Sequence, residues 1–164
     1  MKLVEVGPAL LVDARGLLVL IGAPDGTATA WRAAGLKPGG PDVVLLGAGV
    51  GAEIAGLYGV LTLLGGVVRE APASLLHPLT AEGPGALCAA WMHTEGGVLA
   101  VSLDGQLPGM AEEVGGLVIA SLDAGDGRLA WALARGDERW VYVGGVRDPR
   151  RLASLERGAT RVVR

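Results

Sequence analysis

The stretch DVVLLGAGVGAEIAGL, residues 42–57, restricts what this chain can become more than any other. The apolar run 43–46 has the length of a buried strand rather than a helix. Gly47, Gly49 and Gly51 follow and allow the backbone to turn sharply. An amphipathic stretch comes next, and a helix is expected from about residue 51 to 64. Strand, glycine turn and helix in that order form the unit of a layered protein, in which a sheet buries one face under helices.

The flanking sequence extends the pattern. Apolar runs at 3–6, 9–13 and 17–22 read as an opening meander that turns at Gly7-Pro8 and Arg15-Gly16. In 25–35, Thr27, Ala30, Trp31 and Ala34 share one helical face, and Gly35 stops the helix. After the central unit the pattern predicts a strand at 67–70 and a loop at 71–85 with Pro72, Pro78 and Pro84. Strands at 87–93 and 98–103 are joined by a turn at 94–97, which puts His93 at a strand end. A short helix at 110–114 and strands at 117–122, 128–134 and 139–143 follow. Asp148-Pro149 opens a helix with an acidic cap and Pro in the first turn, and a strand at 160–163 closes the chain. Two stretches echo each other: LLVLIGAPDG leads through a helix to PDVVLLGAG, and VLAVSLDGQ leads through a shorter one to GGLVIASLDAG. The pairing suits a two-sheet sandwich with outer helices.

At 164 residues the chain reads as one domain spanning 1–164. Its mean hydropathy is high, +0.46. No apolar run reaches the ~18–20 residues of a membrane span, because seven glycines and Glu53 interrupt 43–68. The opening MKLVEVGP carries no sustained apolar core, so a cytoplasmic protein is expected. Cys88 is the lone cysteine, which excludes an internal disulfide and paired-cysteine metal motifs. It reads as a small buried hydrophobe. The chain has no Asn and one Gln, a bias that fits a thermophile. Net charge is −3, but residues 147–164 carry six Arg against Asp148 and Glu156. That tail reads first as a solvated helix face and a final strand. Contact with an acidic partner, nucleic acid included, is the second reading.

The chain resembles the metallo-β-lactamase superfamily, most closely its ribonuclease Z-like hydrolase branch. LIGAPDGTATAWRAAGLKPGGPDVVLL resembles that branch in its Asp-containing turn, Gly26-Thr27 and following helix. HTEGGVLAVSLDGQLPGMAEEVGGLVIASLDAG and WVYVGGVRDPRRLASLERGATRVV resemble the second half and the closing elements. The resemblance implies an α+β or α/β sandwich of two mixed β-sheets with outer helices. In the family the strand of the central motif runs into HxHxDH, which supplies metal ligands, and often into AGL. Here those four positions hold Ala48, Val50, Ala52 and Glu53, followed by Ala55-Gly56-Leu57. On the same resemblance His77 falls near the third His, Asp104 at the metal-bridging Asp, and the last His position near Gly145. Ala and Val supply no lone pair, and catalytic zinc takes three protein ligands. The resemblance therefore implies a degenerate, metal-free and non-catalytic pseudoenzyme without a cofactor, in a binding or assembly role. A homo-oligomer is expected from the apolar content. Each residual donor also has a plainer reading: His77 a loop residue, Asp104 a turn residue, Glu53 a helix N-terminal carboxylate.

Two alternatives stay open. Gly47, Gly49 and Ala52 match GxGxxA after a strand, and Glu70 lies 23 residues beyond Gly47, near where a ribose-binding acid belongs. This would make the chain a Rossmann-like doubly wound dinucleotide-binding protein. The other alternative is a metal-dependent hydrolase acting on phosphodiester or ester bonds, with a site rebuilt from Glu53, His77 and Asp104.

Overall fold

The computed structural model describes every residue except Gly97, Val98, Gly145, Arg147 and Arg164. The chain opens with the expected meander, β1 (Lys2–Val6), β2 (Ala9–Ala14) and β3 (Leu17–Ile21), and α1 (Thr27–Ala33) follows. Then come β4 (Val43–Leu45), a single 3-10 turn (Gly51–Glu53), α2 (Leu57–Gly65), β5 (Ala73–Pro78), α3 (Gly83–Glu95) and β6 (Val101–Gln106). These six strands form one sheet in sequence order. β1 to β3 pair antiparallel, whereas β3 to β6 pair parallel because a helix crosses over between each successive pair.

The second sheet is built from β7 (Ala111–Val114), β8 (Leu117–Gly125), β9 (Arg128–Arg135), β10 (Glu138–Tyr142) and β11 (Arg161–Val163), in the order β11-β10-β9-β8-β7. Helix α4 (Pro149–Glu156) connects β10 to β11, which pair parallel. Asp148 caps it by accepting a hydrogen bond from the Arg150 amide at 2.9 Å.

Strand alternation sorts the apolar residues into layers. Leu20, Val44 and Leu75 face the helices and pack with Trp31, Leu61 and Trp91. Val19, Val43, Leu45 and Leu76 face the second sheet and pack with Trp131, Leu133 and Trp140. On the far side of that sheet Ala132 and Val141 meet Leu152 and Leu155 of α4. The result is a helix–sheet–sheet–helix sandwich of two mixed sheets, as expected. It is not the doubly wound alternative: α1, α2 and α3 share one face of the first sheet, and the other face is covered by a second sheet. Among the described residues no helix is long and apolar enough to cross a membrane.

Four local expectations are corrected. The expected strand 87–93 lies inside α3, where the apolar run buries Cys88 and Trp91 against the first sheet. The expected helix 110–114 is β7, held in register by Glu112 opposite Ile119. Residues 67–70 are irregular rather than a strand, and the strand that follows α2 is β5, inside the expected loop. The predicted strand 98–103 appears as β6 from Val101 onward, while Val98 lies outside the described residues.

Candidate functional site

At the end of β4 the chain leaves the sheet through Gly47, and from there to Glu53 it folds back on itself. The Glu53 carboxylate accepts hydrogen bonds from the amides of Gly47, Ala48 and Gly49 at 2.5, 2.6 and 2.8 Å. Three successive N–H groups thus converge on one internal anion. The loop is tied down at both ends. The Leu129 amide donates to the Gly47 carbonyl at 2.7 Å, which joins the two sheets, and the Ala23 amide donates to the Glu53 carbonyl at 2.8 Å. A side chain at Gly47 has no room, since its Cβ would lie 2.8 Å from the Leu129 carbonyl oxygen.

Beside this loop lies an open cleft of about 480 Å³, walled by Ala48, Val50, Ala52 and Ala81, with Thr80, Asp126 and Arg128 at its polar side. A second cavity, about 270 Å³, shares Ala52, Glu53 and Arg128 with it and is closed by Tyr142 and Gly144. Asp126-Gly127 forms the tip of the β8–β9 hairpin, with φ of 53° and 71° at the two residues, as a two-residue hairpin turn of this type requires. That tip delivers Arg128 to the wall between the two cavities. Burial, and then the Glu53 charge, push the Tyr142 hydroxyl above its ordinary pKa, while Arg128 opposes the shift. Tyr142 is therefore a neutral hydrogen-bonding group at physiological pH.

The three residual donors expected from the sequence do not converge. His77 is buried on β5 opposite Gly105, and its Nδ1 lies 2.8 Å from the Pro78 carbonyl oxygen. Leu75, two residues earlier, faces the helices, so His77 faces that way as well. Asp104 pairs with Leu76, which faces the second sheet, so it points to the opposite side. There it accepts a hydrogen bond from Ser102 Oγ at 2.8 Å. Only Glu53 reaches the cleft, with both oxygens engaged by the loop. Among the described residues no three His, Cys, Asp or Glu side chains are grouped to hold a metal ion. The last expected ligand position, Gly145, lies outside the described residues.

The residues present do not fit the metal that the family's HxHxDH motif would hold. Ala48, Val50 and Ala52 offer methyl groups to the cleft, and releasing Glu53 to a metal would strand three amides. Nor do they fit the dinucleotide alternative. The amides of Gly47, Ala48 and Gly49 that would face a pyrophosphate already bind Glu53, and Glu70 stands in an irregular segment rather than at a strand end. Arg128, Tyr142, Thr80 and Asp126 did not stand out in the sequence. The only signal was the Asp126-Gly127 hairpin dipeptide, which places Arg128 at the start of a strand.

No family model matches the chain, and no curated protein matches its sequence. Solved structures do. Human tRNase Z, short form, superposes with a TM-score of 0.74 at 12% identity, covering 97% of this chain and 72% of that one. Zn²⁺-bound PqqB from Methylobacterium extorquens gives 0.65 at 22% identity over 94% of this chain and 55% of its own. The metallo-β-lactamase fold protein YhfI from Bacillus subtilis gives 0.61 at 15% identity, with 85% and 55% covered. The chain thus spans little more than half the length of the latter two. Other structures that superpose bear hydrolase names, among them a diphosphatase from the PhnP family and the Rm3 metallo-β-lactamase. The layer order, the strand topology and these superpositions agree that this chain has the metallo-β-lactamase fold.

Proposed function

We propose that this chain is a binding protein on the metallo-β-lactamase fold that works without a metal and without hydrolytic chemistry. The observation that supports this reading is the Glu53 carboxylate closed onto the amides of Gly47, Ala48 and Gly49. Charge-assisted bonds of this kind are the strong ones. Withdrawing the carboxylate would leave three amides unsatisfied, at about 1–3 kcal/mol for each that stays buried. The loop is built to hold its own anion, while small apolar side chains shape the cleft beside it.

The test is a thermal-shift panel on chelated, tag-free protein with zinc, manganese, NAD, NADP and FAD. A ligand at ~100 times its dissociation constant stabilises the fold by about 2.7 kcal/mol, a shift of roughly 5–10 °C at this size. The expected result is no shift with any of the five. A shift with metal would restore the hydrolase alternative, and a shift with a dinucleotide would restore the nucleotide one.

An assembly role is a second reading, favoured by one feature of the surface. Leu79 and Leu103 are 58% and 40% exposed beside the free edge of β6. Sedimentation at micromolar concentration should then show a dimer or larger species, and a monomer would remove this reading.

A further inference from the structure

β6 is the last strand of the first sheet, so one of its edges has no neighbour. The Ala73 amide donates to the Ala100 carbonyl and the Leu79 amide to the Gln106 carbonyl, both at 2.9 Å. Residues 100, 102, 104 and 106 therefore turn their backbone groups toward β5, and Val101, Leu103 and Gly105 turn theirs outward. Among the described residues nothing pairs with the outward amide and carbonyl of Leu103 or of Gly105. The Val101 amide is given to the Leu99 carbonyl at 2.9 Å. The side chains along this edge are apolar. Leu103 faces the helix side, as its register partner Leu75 does. Leu79 lies over the bare face of Gly105, where a Cβ would stand 2.5 Å from it. Leu107 and Met110, 50% and 43% exposed, continue the row beyond the strand. The other edge strands carry charge instead: Lys2 and Glu5 on β1, Glu112 and Glu113 on β7, Arg161 on β11. Edges that must stay single are protected by such charges or by proline. β6 has no proline and no cation, and its one charge, Asp104, is turned toward the second sheet.

We infer that β6 seats a second copy of this chain, paired antiparallel with the same strand of its partner across a twofold axis at Leu103. The inference rests on the assembly reading above and names the surface and the register of that assembly. A closed dimer uses the same patch on both copies, and an antiparallel edge pair meets that condition. The outward residues overlap fully only when Leu103 faces the partner's Leu103 and Val101 faces the partner's Gly105. Each Leu103 amide then donates to the opposite Leu103 carbonyl, and each Gly105 amide to the opposite Val101 carbonyl. The Val101 amide, already held by Leu99, is not needed. On the helix side the two Leu103 side chains meet, and each Val101 lies beside the partner's Leu79 over the bare Gly105. On the other side Ser102 stands opposite the partner's Asp104. Moving one strand by two residues, so that Leu103 faces the partner's Gly105, would set Asp104 against Asp104. Like charges directly opposite are destabilising, so the side chains of both faces favour the register centred on Leu103.

Sedimentation velocity on the full chain at micromolar concentration tests this, and the parent should sediment as a dimer. Leu103→Lys should weaken that dimer at least about tenfold, because like charges replace a leucine pair at the twofold axis. Leu103→Pro should weaken it as well, since it removes an outward amide that the ladder to β5 does not use. Val118→Lys, at an exposed position on β8, should leave it unchanged. Circular dichroism and the melting temperature of each variant show whether the fold is intact. Leu103→Cys reads the register without disturbing the edge. A hydrogen-bonded antiparallel pair holds its Cα atoms ~5.5 Å apart, within reach of a disulfide. Mild oxidation of Leu103→Cys should therefore give a covalent dimer, and oxidation of Val118→Cys or of the parent, with its buried Cys88, should not. A monomeric parent overturns this inference together with the assembly reading. A dimer that survives Leu103→Lys in a folded protein, or that Leu103→Cys fails to cross-link, overturns this inference alone and leaves assembly through another surface.

Discussion

The Glu53 carboxylate lies 2.5 Å from the amide nitrogen of Gly47, six residues earlier in the chain and at the point where β4 leaves the sheet. One side chain therefore fixes the shape of the loop that precedes it. Glu53→Gln keeps the size but removes the charge, and turns an NH₂ group toward backbone amides. The expected cost is about 2–3 kcal/mol, at the charged end of hydrogen-bond contributions. Urea denaturation checks it, and an unchanged midpoint would show that the loop holds without its anion.

A second prediction concerns the contact between α2 and α3. A Cβ built on Gly65 would run into the buried indole ring of Trp91. Gly65→Ala gains up to about 1 kcal/mol of helix propensity. Forcing a methyl into a packed ring costs about 1–3 kcal/mol, so the steric effect should win. The melting temperature should fall, and a rise would mean that α3 shifts freely.

Glu112 gives the protein a pH dependence of a definite sign. Burial first, and the neighbouring Asp104 charge second, raise its pKa above the ordinary 4.5. The folded state holds this proton more tightly than the unfolded chain does. The associated stability is therefore complete below the ordinary value and is lost as pH rises through the folded-state value. Glu112→Gln mimics the protonated form. Compared with the parent, it should gain stability progressively as pH rises above the ordinary carboxylate value. Urea midpoints of the two proteins across that range would show it, and a variant that loses ground as pH rises would contradict the assignment.

Cys88 should be chemically quiet in the native protein. It is 7% exposed, and burial pushes its thiol pKa up, so little thiolate is available. Ellman's reagent should react slowly with folded protein and rapidly after denaturation. A fast native reaction would mean that α3 opens readily.

The elements that were legible in the sequence are those whose signal is local. β1 to β3 are apolar runs set between turn dipeptides, and α4 carries its own cap in Asp148. The elements misread depend on partners far along the chain. β5 ends in Pro78, which reads as loop, yet it is held as a parallel strand between β4 and β6. Residues 111–114, AEEV, are good helix formers, but the neighbouring strand β8 overrides that preference. The site divides in the same way. The glycine turn after β4 was visible. The capture of three amides by Glu53 was not, because it requires the loop to close on itself. Arg128 and Tyr142 lie far beyond that loop in sequence and reach it only when the second sheet docks.

That docking carries a consequence for how the molecule is made. All strands of the first sheet end by Gln106, and those of the second begin at Ala111. A ribosome therefore releases one whole sheet, with its three helices, before the other exists. The pair of cavities beside Glu53 takes its glycine loop from the earlier half and Arg128 and Tyr142 from the later one. It comes into being only at the final assembly step. A molecule seated there would act as glue between halves, and two separately expressed fragments, 1–106 and 107–164, should associate more tightly in its presence.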